Sequence, residues 1–349
     1  MRIRVVFIDT DGDYLNRLKG KIRRDYSQEL ETGYYENLDL FISSGDKNRY
    51  DVAVINANLY ERNAIGSITC AILFVSEDNT TGKLDECPVV GKYQRFEELY
   101  RSILSVYSDR KTNTSGLVVR SGSAKNLITF ASPAGGVGSS TLAIAAAEHL
   151  SKKGKRVLYL NLENIAFYYY TGNNGGFDDL MYTIKENSAN TTIKIESMVR
   201  KTDNGVMVLP AVKNSLDLCS LSDEDIEAFI TALERLESID YLIIDTDFSL
   251  TKRTYKLFNK SEVVVMTTDG TEPANHKLKM GLSCLSIYEG EYDIISKIRI
   301  LYNRFGESYF CSRITTELPV LGSIPRYKAS IKEIIDEISE GSIFDGLIM

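Results

Sequence analysis

Residues 132–141 read Ser-Pro-Ala-Gly-Gly-Val-Gly-Ser-Ser-Thr. A hydrophobic run, Leu127-Ile-Thr-Phe-Ala131, leads into them, and an alanine-rich stretch, Leu142 to Leu150, leads out. Strand, glycine loop and helix in that order is what a phosphate-binding loop needs. Its glycines let backbone N–H groups curl around an anion, and the helix N-terminus adds favourable partial charge. Such a loop belongs in an α/β fold, with the strand buried in a parallel sheet and the helix packed over it. One residue is out of place. Position 139 is Ser, where a working loop carries the Lys that reaches the β- and γ-phosphates.

At 349 residues the chain is long for one core, so two domains are expected. With 43% hydrophobic and 26% charged residues it is ordinary for a globular protein. No stretch approaches the ~18 apolar residues of a transmembrane helix. The start, Met-Arg-Ile-Arg-Val-Val-Phe-Ile-Asp, reads as a first buried strand rather than a signal peptide. Cys70, Cys87, Cys219, Cys284 and Cys311 are scattered, odd in number and without CxxC spacing. They point to a reducing compartment and away from zinc. A net charge of −7 gives the whole chain no electrostatic attraction to nucleic acid.

Early strand candidates are Ile3–Ile8, Val52–Ile55, Ala71–Val75 and the weaker Val89-Val90. Helical patterns at Tyr14–Arg24 and Phe96–Tyr107 lie among them. This alternation predicts a first domain over residues 1–108. Residues 109–125, polar around Leu117-Val118-Val119, read as a linker. A second domain, residues 126–349, repeats the alternation. Strands are expected at Leu127–Ala131, Arg156–Asn161, Val206–Leu209, Tyr241–Asp245, Glu262–Thr267 and Lys297–Tyr302. Helices are expected at Ser140–Lys152, Asp223–Leu236, His276–Ile287 and Ala329–Ser339, with Ser222 capping the second. The fold class is therefore two doubly wound parallel-sheet α/β domains.

Asp245 closes the run Tyr241-Leu-Ile-Ile-Asp, and a carboxylate there, beside the loop, is placed to hold Mg²⁺ with the Ser140 hydroxyl. Asp247 follows where the chain turns back. The stretch Ala134, Gly135, Gly136, Val137, Gly138, Ser139, Ser140, Thr141 resembles the Lys-Gly-Gly-Val-Gly-Lys-Thr-Thr loop of the MinD/ParA family of deviant Walker ATPases. Other landmarks follow in the family's order. Arg156–Glu163 is similar to its second strand, which ends in Asp-x-Asp, and Tyr241–Asp247 to its Walker B strand. Asn303 and Arg304 stand where its purine-reading Asn ends a strand, and Gly322–Arg326, with Pro325, matches the loop over the base. The resemblance covers roughly residues 126–340 and implies a MinD-like P-loop domain binding ATP with Mg²⁺. It departs where charge is needed. The family's signature Lys is Ala134, the loop Lys is Ser139, and the switch Asp pair is Asn161 and Glu163. Losing such donors raises a phosphoryl-transfer barrier by about several kcal/mol, so hydrolysis is expected to be weak or absent. Glu163 remains the candidate to orient water. Lys125, Lys152, Lys153 and Arg156 are the neighbouring cations that would have to substitute.

The first domain resembles a response-regulator receiver. Asp9 and Asp11 are like its acidic pair, Ser76 falls where receivers keep Ser or Thr, and Lys92 follows the last strand as the receiver lysine does. The phosphoacceptor position is Asn56, whose amide cannot form an acyl phosphate, so the domain is expected to be a pseudo-receiver that serves protein interaction. Phe167–Tyr170 with Gly172, Gly175 and Gly176 reads either as a partner contact or as a loop with its aromatics folded inward. His149 and His276 read as ordinary helix residues. Ile331, Ile334, Ile335 and Ile338 share one helix face whose opposite side is acidic, which predicts docking on the core rather than on a membrane.

A pseudo-receiver fused to a MinD-like domain is similar to the layout of the TadZ/CpaE family, which localises and helps assemble tight-adherence (Flp, type IVb) pili. That resemblance implies a cytoplasmic homodimer recruited to the cell pole or inner membrane face through pilus and secretion assembly proteins. An active MinD/ParA-type ATPase for spatial positioning stays open as an alternative. So does a receiver-linked regulator, although the chain supplies no helix-turn-helix or basic stripe.

Overall fold

The computed structural model describes residues 2–78, 81–111, 126–167, 169–170, 177–186, 191–210, 216, 218, 220–287, 294–306 and 310–348. The expected linker beyond Lys111, with its Leu117–Val119 patch, lies outside them, as do Cys219, Tyr168, Gly172, Gly175 and Gly176. By packing, the chain divides into two compact units. Met1–Val119 and Ser188–Ser197 form one; Arg120–Asn187 and Met198–Met349 form the other.

In the first unit, β1 (Ile3–Ile8) is a β-branched run with five of its six residues buried, as a strand covered on both faces should be. Asp11 caps α1 (Gly12–Asp25) by accepting the Tyr14 N–H at 2.9 Å. There follow β2 (Leu30–Tyr35), α2 (Leu38–Ser43), β3 (Val52–Asn56), α3 (Arg62–Ile65), β4 (Ala71–Ser76), β5 (Gly82–Leu84), β6 (Cys87–Gly91) and α4 (Phe96–Lys111). The sheet runs β2-β1-β3-β4-β6-β5, parallel except for the β5–β6 hairpin. One core forms under α1 and α4, around Leu15, Ile22, Leu99 and Ile103. The other forms around Phe41, Ile65 and Phe74. Because β1 and β3 are neighbours, Asp9 and Asn56 emerge side by side.

In the second unit, β7 (Asn126–Ala131) leads through the glycine loop into α5 (Ser139–Lys152) and β8 (Val157–Asn161). Next come α6 (Phe177–Glu186), α7 (Thr191–Met198, most of which belongs to the first unit), β9 (Arg200–Lys201), β10 (Met207–Val208) and α8 (Asp223–Glu234). The chain ends with β11 (Tyr241–Asp245), α9 (Lys252–Lys260), β12 (Val263–Thr268), α10 (Glu272–Ile287), β13 (Ile298–Tyr302), β14 (Val320–Ser323) and α11 (Ile331–Glu340). The eight strands order as β14-β13-β12-β7-β11-β8-β10-β9, parallel except for β9. The loop thus leaves a central strand. Register sets Asp245 opposite both Phe130 and Asn161, which collects the ends of β7, β8 and β11 at one place. Leu142 through Leu150 of α5 are all buried, and Ile335 and Ile338 of α11 join the same core. The C-terminal helix therefore docks its apolar face on the domain, as the isoleucine spacing predicts. Among the described residues no helix is long and apolar enough to cross a membrane.

Candidate functional site

The glycine loop has the backbone that its sequence demands. Gly136 and Gly138 adopt φ of 75° and 91°, the left-handed region, and Gly138 caps α5. Ser132 pins the loop at its start: its hydroxyl donates to the Thr267 carbonyl (2.6 Å) and accepts the Ala134 N–H (3.1 Å). From the other side, Asn303 Nδ2 donates to the Val137 carbonyl at 2.7 Å and Arg304 Nη1 to the Gly136 carbonyl at 3.0 Å. Arg304 holds φ at 54°, unusual for a residue with a side chain. A Cβ at Gly138 would lie 2.4 Å from Asn303 Nδ2. Asn303 and Arg304 are thus drawn against the loop across the sheet, as their place after β13 suggests. Gly135 and Gly136 are exposed at the mouth, Thr141 sits in the first turn of α5, and Pro325 is exposed after β14.

Beneath the loop lies an acidic cluster. Ser140 Oγ donates to Glu163 Oε1 at 3.0 Å. Asn161 braces Glu163 twice: its Oδ1 accepts the Glu163 N–H (2.8 Å) and its Nδ2 faces Oε2 (3.3 Å). Asp245 is 0% exposed. Its Oδ2 accepts from the Tyr159 hydroxyl at 3.1 Å, while its buried Oδ1 receives no hydrogen bond. Burial, then the nearby Glu163 charge, pushes the Asp245 carboxyl up to about 8. Tyr159, which the sequence did not single out, is itself raised well above its ordinary value by burial and by Asp245. Asp247 accepts the Asn164 N–H at 2.7 Å, tying the segment after β8 to the segment after β11. Ser139 Oγ is buried without a partner. The metal candidates Ser140 and Asp245 therefore meet, with Glu163 as a third member.

The orphaned Asp245 oxygen and the hydroxyl beside it fit a hard divalent ion such as Mg²⁺. Among the described residues no group of three or more His, Cys, Asp or Glu is placed to hold a metal by itself. Such an ion would draw its remaining oxygens from a ligand and water.

The neighbouring cations do not replace the lysines. Lys152 Nζ donates to Ser339 Oγ (2.8 Å), Lys153 pairs with Asp345 (3.3 Å) and Arg156 with Asp240 (2.6 Å). All three lie at the far end of α5 or the start of β8, because the whole length of α5 separates them from the loop. Lys125 lies outside the described residues. His149 is not an ordinary helix residue. It is buried, with Nδ1 3.0 Å from the Ser339 carbonyl and Nε2 3.0 Å from Asp345 Oδ1. Of the aromatic stretch, Tyr170 folds inward and donates to buried Glu148 (3.1 Å), while Phe167 is exposed.

In the first unit, Asp9, Asp11, Asn56 and Lys92 converge at the carboxyl ends of β1, β3 and β6. Lys92, with its side chain 0% exposed, reaches Asp9 Oδ1 at 3.0 Å and Asp11 Oδ2 at 3.7 Å. Asn56 Nδ2 donates to Asp9 Oδ2 and to Glu77 Oε1, each at 3.1 Å. Glu77 also takes Lys92 at 3.2 Å. Burial works to strip the Lys92 proton, but the bonds to Asp9 and Glu77 outweigh it and hold the ammonium above its usual range. Donors from Asn56, then Lys92, keep the Glu77 carboxyl below its usual range. Ser76 differs from expectation in contributing only its backbone carbonyl, to the Lys92 N–H (2.8 Å). Glu77, its neighbour, enters the pocket. A polar residue just past a buried strand end was the signal for it, and Glu77 carries that signal as fully as Ser76.

Residues 1–108 match the profile of the TadZ-like receiver domain, and residues 125–287 match that of an AAA domain. The chain joins a TadZ-like receiver domain to an AAA domain. Among solved structures, a ParA family ATPase from Chlorobium tepidum TLS aligns over 65% of this chain and 99% of its own, at 19% identity and TM-score 0.50, which shows the fold. A plasmid partition protein from Borrelia burgdorferi aligns over 64% and 100%, at 26% identity and TM-score 0.47. The septum site-determining protein MinD with Mg-ADP from Pyrococcus horikoshii OT3 aligns over 64% and 94%, at 17% identity and TM-score 0.49. No curated protein matches the chain. In the TadZ-like receiver domain Asn56, expected at the phosphoacceptor position, is an amide donor within an ion-paired pocket. In the AAA domain the loop keeps its glycines without its lysines.

Proposed function

We propose that this chain is a TadZ/CpaE-type localisation and assembly factor for tight-adherence pili, working as a homodimer recruited to a pole or membrane face by pilus and secretion assembly proteins. Its AAA domain binds Mg-ATP with slow or no turnover. One observation carries the reading: an intact cradle, with Gly136 and Gly138 in left-handed conformation and Asn303 bonded to it, holds Ala134 and Ser139 where the family holds lysines. Backbone N–H groups of Gly135–Ser140 would take the phosphates, and Asn303 and the Pro325 loop the base. Mg²⁺ held by Ser140 and Asp245 would supply charge neutralisation. Nothing among the described side chains adds a lysine where charge develops during transfer, and each such donor is worth on the order of 10²–10³ in rate. Asn56 removes phosphotransfer from the receiver, leaving it as an interaction module.

Calorimetry with ATP and ADP, alongside steady-state phosphate release, tests the site. Binding with negligible turnover is expected, with Ser139→Lys tightening binding. Wild-type turnover in the ordinary ATPase range would favour the active-enzyme reading. Loss of pilus polarity on deletion tests the biology.

A further inference from the structure

Four observations under the loop belong together. Asp245 Oδ1 is fully buried and takes no hydrogen bond, while Tyr159 occupies the other oxygen. Ser140 has a single hydroxyl proton and gives it to Glu163, so its lone pairs remain. Glu163 is held from both sides by Asn161, whose amide orients it without adding a further charge. The loop above carries Ala134 and Ser139 in place of lysines, and its one neighbouring guanidinium among the described residues, Arg304, is turned to the Gly136 carbonyl. The Glu163 carboxylate, with no lysine opposite it, repels a polyphosphate, and a hard divalent ion set between Glu163 and Asp245 reverses that sign.

We propose that Glu163, with Asp245 and Ser140, grips a divalent cation that takes over the electrostatic role of both missing lysines, so that the loop captures nucleotide only together with that cation. The inference rests on the nucleotide-binding reading above. It makes Glu163 a cation ligand rather than a group that orients water. It also accounts for the small protein ligand set: two carboxylates and one hydroxyl leave positions that phosphate oxygens complete, so cation and nucleotide each need the other.

The test is titration of the full-length chain with ATP by calorimetry, in millimolar Mg²⁺ and in EDTA. Magnesium is expected to tighten ATP by about 100-fold; with Mn²⁺ in its place, linkage requires ATP to tighten Mn²⁺, followed by its paramagnetic resonance signal, by the factor with which Mn²⁺ tightens ATP. Glu163→Gln is expected to weaken binding about tenfold in Mg²⁺ yet to bind better than wild type in EDTA, because the repulsion is gone. Ser140→Ala, which spares the acidic groups, should lose the Mg²⁺ gain alone. Equal wild-type binding in EDTA and Mg²⁺ would overturn this inference while leaving nucleotide binding intact. A Glu163→Gln variant that keeps its melting temperature and the full Mg²⁺ effect would do the same. No heat at millimolar Mg-ATP would overturn both readings.

Discussion

Asp245 shows how one buried carboxyl couples site and stability. Its folded value of about 8 lies above the ordinary 3.8, so between those values the folded chain holds a proton that the unfolded chain has released. The stabilisation is therefore fully present below about pH 4 and lost as pH rises toward 8, at a slope on the order of 1 kcal/mol per pH unit. In EDTA, denaturant midpoints between pH 5 and 9 should fall for wild type, and Asp245→Asn should remove that component. Gly138 gives a second residue-scale outcome. Gly138→Ala forces a left-handed backbone on alanine and drives a Cβ onto Asn303, so a loss of about 1–3 kcal/mol is expected in urea unfolding. Asn56→Asp replaces an amide donor, which bonds Asp9 and Glu77, with another carboxylate. The melting temperature of the receiver should drop, and millimolar Mg²⁺ should restore part of it. The glycines, Ser140, Asp245, Asp9, Asn56 and Lys92 were all legible in the sequence, because each sits at a fixed offset from a hydrophobic strand. Tyr159, Glu77 and His149 were not. Their roles depend on which neighbour the sheet order supplies, and no local spacing encodes that.

At the scale of elements, the strong apolar runs became strands and the well-capped helices formed. Ser222 and Ser330 make the capping boxes that begin α8 and α11. The strand β2, Leu-Glu-Thr-Gly-Tyr-Tyr, escaped the sequence reading because it is a sheet-edge strand with only Leu30 buried, so the alternation is weak. The helix α9 escaped for a related reason: Tyr255, Leu257 and Phe258 carry its burial within nine residues rich in lysine and arginine. Conversely α5 is buried all round, so its faces could not be told apart by periodicity. That same burial makes the far end of α5 a test of the C-terminal docking. His149 bridges the Ser339 carbonyl and Asp345, and Phe344 packs edge-on against its ring. His149→Leu keeps the bulk but strands the carbonyl in the core, at a cost of about 2 kcal/mol. Hydrogen exchange at residues 331–347 should quicken in that variant, while exchange in β1 and β3 stays unchanged.

At the scale of the whole molecule, the order of landmarks from Asp9 to Pro325 was readable, since order survives when spacing drifts. The assignment of Ser188–Ser197 to the first unit was not, because membership of a compact unit is decided by packing rather than by position along the chain. Each unit has its own buried clusters, around Phe7 and Phe41 in one and around Leu142 and Phe258 in the other. Ligand linkage therefore has a direction. A ligand that binds one folded unit stabilises that unit by RT ln(1 + [L]/Kd), about 2.7 kcal/mol at a hundredfold excess over Kd. On the proposed function Mg-ATP would act at the AAA domain, while the receiver pocket already satisfies its acids with Lys92 and Asn56. Differential scanning calorimetry of the full chain should then show one component rising with Mg-ATP and another staying in place. Asn56→Asp should move only the second. If both components rise together with nucleotide, the two units unfold as one and the receiver senses occupancy of the loop. If neither moves, the loop binds no nucleotide, and its glycines serve the packing of α5 instead.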